Sequence, residues 1–163
     1  MDRINYTEIV EKYADNIYRV ALSYCKNKYD AEDVLQNVFL KLLQADIKFE
    51  GEEHLRRWLI RVAVNCCKDL SKSFWKKRMV SIDEARQSYS HDFSSNEKSD
   101  LYESVMELPQ KYRVVMHLYY YEDYSIREIA EILKIKETTV QTQLMRARNK
   151  LQHKLKEEGQ YDW

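Results

Sequence analysis

Apolar residues recur at spacings of three and four along most of this chain. Ile9, Val10, Tyr13, Ile17, Val20, Ala21 and Tyr24 follow that spacing between residues 6 and 27 and predict an amphipathic helix. Ala31, Val34, Leu35, Val38 and Leu42 continue it after Asp30, a residue suited to cap the N-terminus of a second helix. The pattern lapses over residues 46–53, where Gly51 marks a loop. It resumes from about Glu53 with Leu55, Trp58, Leu59, Val62, Ala63, Cys66 and Leu70 facing inward. Three helices of this length can enclose one small core. From about residue 80 to residue 99 the periodicity fades. Ser81, Ser88, Ser90, Ser94, Ser95 and Ser99 sit there among Asp and Asn, which reads as a polar, acidic linker. Helical spacing returns near Asp100, and Pro109 suits the first turn of a helix, where its missing N–H is not needed.

The last third carries two short amphipathic segments, residues 124–133 and 137–151, joined by a turn at Lys134-Ile135-Lys136. At about 100° per residue, Val140, Leu144, Ala147 and Leu151 share one face, expected to pack on Ile126, Ile129, Ala130 and Leu133. Two short helices with a tight turn and a basic second helix are the pattern of a helix-turn-helix. The expected fold is all-α: two small helical domains, residues 1–79 and 100–163, joined by a flexible acidic linker over 80–99, the C-terminal one a helix-turn-helix.

Composition agrees with a helical chain, since 163 residues include only two glycines and one proline. No apolar run is long enough to span a bilayer, and Met1-Asp2-Arg3-Ile4-Asn5 has no apolar signal segment, so a cytoplasmic protein is expected. Cys25, Cys66 and Cys67 form no CxxC pair and the four histidines are scattered, so reduced structural thiols and no metal are expected. A Gly-rich phosphate loop, HExxH and a nucleophile elbow are all missing, which argues against an enzyme or a cofactor.

The net charge of zero hides an uneven distribution. Residues 54–78 hold eight Lys/Arg against one Asp, and residues 134–156 hold seven Lys/Arg against one Glu. Residues 1–53 and 79–110 are acidic, so two basic islands stand in acidic surroundings. Two solvated helix faces are the bland account. Two islands, one of them on a helix-turn-helix pattern, favour nucleic acid.

On the terminal helix, Thr138, Thr142, Met145, Arg146 and Asn149 lie opposite the apolar face, with Gln141 at the flank. Arg pairs bidentately with guanine and Gln with adenine, while Thr and Met reach a thymine methyl. Arg148, Lys150 and Lys154 suit phosphate. On the third helix, Arg61, Asn65, Lys68 and Lys72 form an outward stripe at i, i+4, i+7 and i+11. The cations attract phosphate and the amide can hydrogen-bond an unpaired base. Trp58 and Trp75 bracket the stripe. Core packing is the first reading of Trp58, and Trp75 suits base stacking or a domain-closing contact equally. Asp33, Gln36, Asn37 and Lys41 on the outer face of the second helix suit a protein partner or plain solvent.

With these elements in place, the chain resembles a bacterial RNA polymerase sigma factor of the sigma-70 superfamily, extracytoplasmic-function group, over nearly its whole length. Asp-Ala-Glu-Asp-Val-Leu-Gln-Asn-Val-Phe-Leu-Lys (residues 30–41) is similar to the family's core-polymerase-binding helix. Trp-Leu-Ile-Arg-Val-Ala-Val-Asn (58–65) with Lys68-Asp69 is similar to its promoter −10 reading and melting segment. Leu-Pro-Gln-Lys-Tyr-Arg (108–113) with residues 124–155 is similar to its −35-reading domain. The resemblance implies that Asp33 and Gln36, with Asn37 and Lys41 beside them, meet core polymerase. It implies that Asn65 faces an extruded −10 base, with Arg61 and Lys68 near the strand; Lys72 and Trp58 are expected −10 DNA-binding residues beside them. It implies that Gln141, Thr142, Met145 and Arg146 face the −35 major groove; Thr138 and Arg148 are expected −35 DNA-binding residues beside them. An anti-sigma partner and a monomeric free state are implied by the resemblance alone. Asn37 stands where an acidic residue is usual, Gln141 and Gln143 where basic ones are common, and Ser73-Phe74-Trp75 interrupts an often continuous basic tract. The rival expectation is a stand-alone dimeric helix-turn-helix regulator, which leaves the stripe on the third helix without a role.

Overall fold

A computed structural model describes residues 5–77 and 100–157, with side chains over 5–70 and 101–157. The chain divides into two compact units, Met1–His91 and Asp92–Trp163. All regular structure among the described residues is helical. Residues 80–99, read from the sequence as a linker, lie outside the described residues.

The first unit holds α1 (Tyr6–Cys25), α2 (Lys28–Gln44) and α3 (Glu52–Lys77), each packed on the other two. α1 ends where Lys26 turns into the left-handed region at φ 53° and its N–H donates to the Leu22 carbonyl at 2.8 Å. The very next residue begins α2. Asn27, in extended conformation, accepts from the N–H groups of Tyr29 (2.9 Å) and Asp30 (3.1 Å). Asn27 is therefore the N-cap, and the expectation of Asp30 is corrected. Both residues are good caps, but only Asn27 follows directly on the chain reversal at Lys26. Gly51, at φ 156°, precedes α3. A Cβ there would meet nothing within 4 Å, so the backbone conformation and not space asks for glycine.

Two stripes of α3 are buried. Leu55, Leu59, Ala63 and Cys66 lie inward as expected, but Ile60, Val64 and Cys67 are equally buried, while Trp58, Val62 and Leu70 are half-buried. The cause is topological: α3 touches both α1 and α2, so one apolar stripe is not enough. Tyr6 closes the far end of the core, donating its hydroxyl to the Phe39 carbonyl at 2.9 Å and meeting the Phe39 ring edge-on.

The second unit comprises α4 (Asp100–Met106), α5 (Gln110–Met116), α6 (Ile126–Leu133) and α7 (Glu137–Glu157). Pro109 is the N-cap of α5 and not its first helical residue. Its carbonyl receives the N–H groups of Tyr112 (3.0 Å) and Arg113 (2.9 Å). α5 runs into a π-helical turn, His117–Tyr121, closed by the Glu122 N–H on the His117 carbonyl at 3.1 Å. A left-handed Asp123, at φ 60°, then redirects the chain towards α6. Ser125 and Glu128 form a capping box at the start of α6, and a left-handed Lys134, at φ 58°, ends it.

Candidate nucleic-acid and protein interfaces

The turn between α6 and α7 is fixed from both ends. The Lys134 and Ile135 N–H groups both reach the Ala130 carbonyl, and the Lys136 carbonyl receives the Val140 N–H at 3.1 Å. α7 then packs Val140, Leu144, Ala147, Leu151 and Leu155 into the unit. Beneath them lie Ile129, Ala130 and Ile132, whereas Ile126 and Leu133 are only half-buried. Ile132 thus takes the inward place expected of Leu133.

This anchoring turns the opposite face of α7 outward. Thr138, Gln141, Met145, Arg146 and Asn149 are exposed, Met145 to 54%, and Thr142 is half-buried. The Thr142 hydroxyl donates to the Thr138 carbonyl at 2.9 Å, so its methyl and oxygen lone pairs are what it presents. The cations assigned to phosphate are placed differently. Arg148 donates through Nε to the Tyr120 hydroxyl at 2.6 Å and lies over the rings of Tyr119 and Tyr120. Lys150 stands 5.8 Å from the Tyr112 ring centroid, and Lys154 pairs with Glu107, in the turn that follows α4. Each has a contact inside its own unit, with a residue far away in sequence.

On α3, Arg61 is exposed while Asn65 and Lys68 are half-buried. The helix continues through Lys77, so Lys72 keeps its place in the i, i+4, i+7, i+11 register, but the side chains of Lys72 and Trp75 lie outside the described residues. Trp58 is half-buried against Phe49, with ring centroids 5.5 Å apart and edge to face. Phe49 also meets His54, whose Nδ1 accepts from the Glu50 N–H at 3.0 Å. Glu52, Glu53 and His54 open α3, and Glu52 pairs with Lys12 of α1.

On α2, Asp33, Gln36, Asn37 and Lys41 are all exposed. Beside them stand Tyr29 (59% exposed), Leu40 (53%) and Leu43 (61%), which the sequence reading passed over. At about 100° per residue, Tyr29, Asp33, Gln36, Leu40 and Leu43 fall within one stripe, roughly 21 Å long at about 1.5 Å per residue. The available signal was that Leu40 and Leu43 do not fit the inward spacing of Ala31, Val34, Val38 and Leu42. Exposed apolar groups thus lie among polar ones along this face.

The thiols offer no comparable chemistry. Burial pushes the Cys66 pKa up, and a hydrogen bond with Cys25, followed by burial, pushes Cys67 well above the usual thiol value. Both stay protonated and poorly nucleophilic at neutral pH. Among the described residues no cluster of His, Cys, Asp or Glu is arranged to hold a metal, and no helix is long and apolar enough to cross a membrane.

Known proteins match both units. The family model for sigma-70 region 2 matches residues 9–77, and that for sigma-70 region 4 matches residues 98–151. The RNA polymerase sigma factor SigV of Bacillus subtilis is 32% identical over 85% of this chain and 83% of its own length. The ECF RNA polymerase sigma factor SigM of the same organism is 33% identical over 88% of this chain and 91% of its own length. Among solved structures, the sigma factor RpoE in complex with the anti-sigma factor NepR, from Bartonella quintana, shares the fold with a TM-score of 0.68. It is 19% identical and covers 93% of this chain and 97% of that one. CnrH in complex with the cytosolic domain of CnrY has a TM-score of 0.64 at 22% identity, covering 95% and 90%. With both family regions matched in order, and full-length relatives above 30% identity, this chain belongs to the sigma-70 family of RNA polymerase sigma factors, in the extracytoplasmic-function group.

Proposed function

We propose that this chain is a cytoplasmic transcription initiation factor, without catalysis of its own, that binds core RNA polymerase and directs it to promoters with two elements. The observation that carries the reading is the outward face of α7. Thr138, Gln141, Met145 and Arg146 are exposed opposite a continuous buried stripe, on a helix set by a capped partner and a fixed turn. That arrangement suits insertion into a major groove, with Arg146 directed to guanine, Gln141 to adenine, and Met145 and the Thr methyls to thymine. α7 reads the −35 element as duplex.

α3 serves the −10 element as a melted strand. Arg61 and Lys68, with Lys72 in register, attract the backbone, and the Asn65 amide meets an unstacked base. Flipping a base costs a few kcal/mol, so the free chain is a weak DNA binder and melting is stabilised within the polymerase complex. The α2 stripe, Asp33, Gln36, Asn37 and Lys41 with Leu40 and Leu43, is the polymerase-facing surface, since exposed apolar groups among polar ones gain most from burial against protein. An anti-sigma protein is the second proposed partner. RpoE, which shares the fold, is seen bound to an anti-sigma factor, which supports that reading.

Run-off transcription from a promoter library, with purified core polymerase and with or without this chain, tests the proposal. Promoter-specific transcripts that require the chain, and that fade for Asn65→Ala and Arg146→Ala, are expected. No transcripts and no co-elution with core polymerase would return the function to a dimeric helix-turn-helix regulator.

A further inference from the structure

Arg148 lies on a flank of α7, between the buried stripe and the outward face. Gln141, seven residues earlier, shares that flank at about 100° per residue. A guanidinium bound for phosphate would extend into solvent. This one is held. Its Nε donates to the Tyr120 hydroxyl at 2.6 Å, and its carbon stands 5.6 Å from the ring centroids of both Tyr119 and Tyr120. Both distances are within the range of about 6 Å at which a cation is attracted to an aromatic face. The two rings also brace each other, edge to face, at 4.9 Å. Both belong to the π-helical turn, so the contact ties α7 to a different segment of the unit. Behind it lies a cavity of about 330 Å³, lined by Leu101, Val105, Met116, Tyr121 and Leu151 together with Tyr120 and Arg148. Arg148 and Tyr120 thus form part of the wall of an opening beside α4, α5 and α7.

We infer that Arg148 is a positioning residue: clamped by Tyr119 and Tyr120, it fixes the roll of α7 about its own axis and thereby aims Gln141, Met145 and Arg146. The inference rests on the promoter-reading role proposed for α7. A buried apolar stripe resists a helix sliding or lifting, but it tolerates small rolls. A restraint on the flank opposes them directly. A roll of about 10° moves a side-chain tip about 6 Å from the axis by about 1 Å. That is enough to spoil a bidentate hydrogen bond to a base edge.

Three substitutions at exposed or half-exposed positions separate positioning from phosphate contact: Tyr120→Phe, Arg148→Lys and Arg148→Ala. Each is assembled with core polymerase, and binding is measured across a salt series on a promoter fragment and on the same fragment with a scrambled −35 element. Positioning predicts that all three lose −35 discrimination several-fold while the salt slope is kept. Lysine fails because it keeps the charge but lacks the planar fork that stacks and donates along Nε. The Tyr120→Phe/Arg148→Ala double variant is then no worse than Arg148→Ala, since both act on one clamp. A phosphate contact predicts a Tyr120→Phe variant equal to wild type, an active Arg148→Lys variant, and a salt slope about one unit smaller for Arg148→Ala. That result overturns the inference.

Absence of any −35 discrimination in the wild type counts against the promoter-reading proposal and not against the clamp. The clamp is read without DNA, from the Arg148 Nε–H resonance of the full chain. A dispersed, slowly exchanging signal that collapses in Tyr120→Phe supports it, and a solvent-averaged signal in the wild type overturns it.

Discussion

Ser125 and Glu128 cap each other at the entry to α6. The Glu128 N–H donates to Ser125 Oγ and the Ser125 N–H donates to Glu128 Oε1, both at 3.1 Å. Two N–H groups that a first helical turn leaves open are satisfied this way. α6 has only eight residues, too few to persist without its cap and its packing. Ser125→Ala is expected to cost about 1 kcal/mol, read as a fall in thermal midpoint of about 4–8 °C for a unit of this size. Ser125→Asp, which keeps an acceptor, is expected to lose much less. Circular-dichroism melts of the full chain check both, and an unchanged midpoint for Ser125→Ala would show that the cap carries no load.

Leu144 and Met145 are neighbours in sequence and opposites in environment, at 1% and 54% exposure. Leu144→Ala leaves a cavity between α6 and α7 and is expected to cost about 2–5 kcal/mol. Met145→Ala is expected to change stability by no more than about 0.5 kcal/mol and to act on promoter discrimination alone. Urea unfolding beside promoter binding in the presence of core polymerase distinguishes them. Equal destabilisation by the two changes would mean that the inward and outward faces of α7 are misassigned.

These two residues also indicate what the sequence made legible. The buried stripe Val140, Leu144, Ala147 and Leu151 follows from the helical period, and its opposite face follows from the same geometry. Periodicity is a local property, so it is silent where distant partners decide. Arg148, Lys150 and Lys154 read as phosphate ligands, and their contacts with Tyr120, Tyr112 and Glu107 come from residues distant in sequence that no helical wheel reveals. The second buried stripe of α3, Ile60, Val64 and Cys67, exists because α3 has two helical neighbours, which no single-helix wheel reveals. Asp30 is the expected cap of α2, but Asn27 serves because it follows directly on the left-handed Lys26. The Ser-x-x-Glu signature of the α6 cap is present in the sequence, as is the misfit of Leu40 and Leu43 to the inward spacing of α2. The roles of Lys72 and Trp75 rest on sequence alone, because their side chains lie outside the described residues.

Stability is expected to fall at alkaline pH. Burial, with a smaller contribution from the Glu32 charge, pushes the Tyr18 hydroxyl up to about 12 from 10.0. Cys66 and Cys67 are raised from 9.0, the first mainly by burial and the second mainly by its hydrogen bond with Cys25. Groups whose folded pKa is raised contribute stability in full below their unfolded value and lose it as pH rises through the folded one. Between the ordinary thiol value of 9.0 and Tyr18's value of about 12, the unfolded chain releases protons that the folded chain keeps. The unfolding free energy therefore drops across that window. Urea midpoints measured at rising pH should decline from the thiol range upward, and Tyr18→Phe should make the upper part of the decline shallower. An equally steep decline in Tyr18→Phe would assign it to other groups.

Leu40 and Leu43 supply the sharpest test of the polymerase-facing surface. Both are more than half exposed on α2 and share a stripe with Asp33 and Gln36. Leu40→Gln and Leu43→Gln keep good helix formers at both positions, so each should change stability by no more than about 0.5 kcal/mol. If the stripe is buried against polymerase and Leu40 or Leu43 is among the few residues that carry its binding, the same change costs more than about 1 kcal/mol. That corresponds to at least about fivefold weaker binding. Lys41→Gln, which alters a solvent-exposed charge, should act more on association rate and salt dependence than on lifetime. Anisotropy titrations of the labelled chain with core polymerase, beside thermal melts of each variant, check the set. Wild-type affinity in the Leu40→Gln/Leu43→Gln double variant would move the polymerase contact off this face of α2.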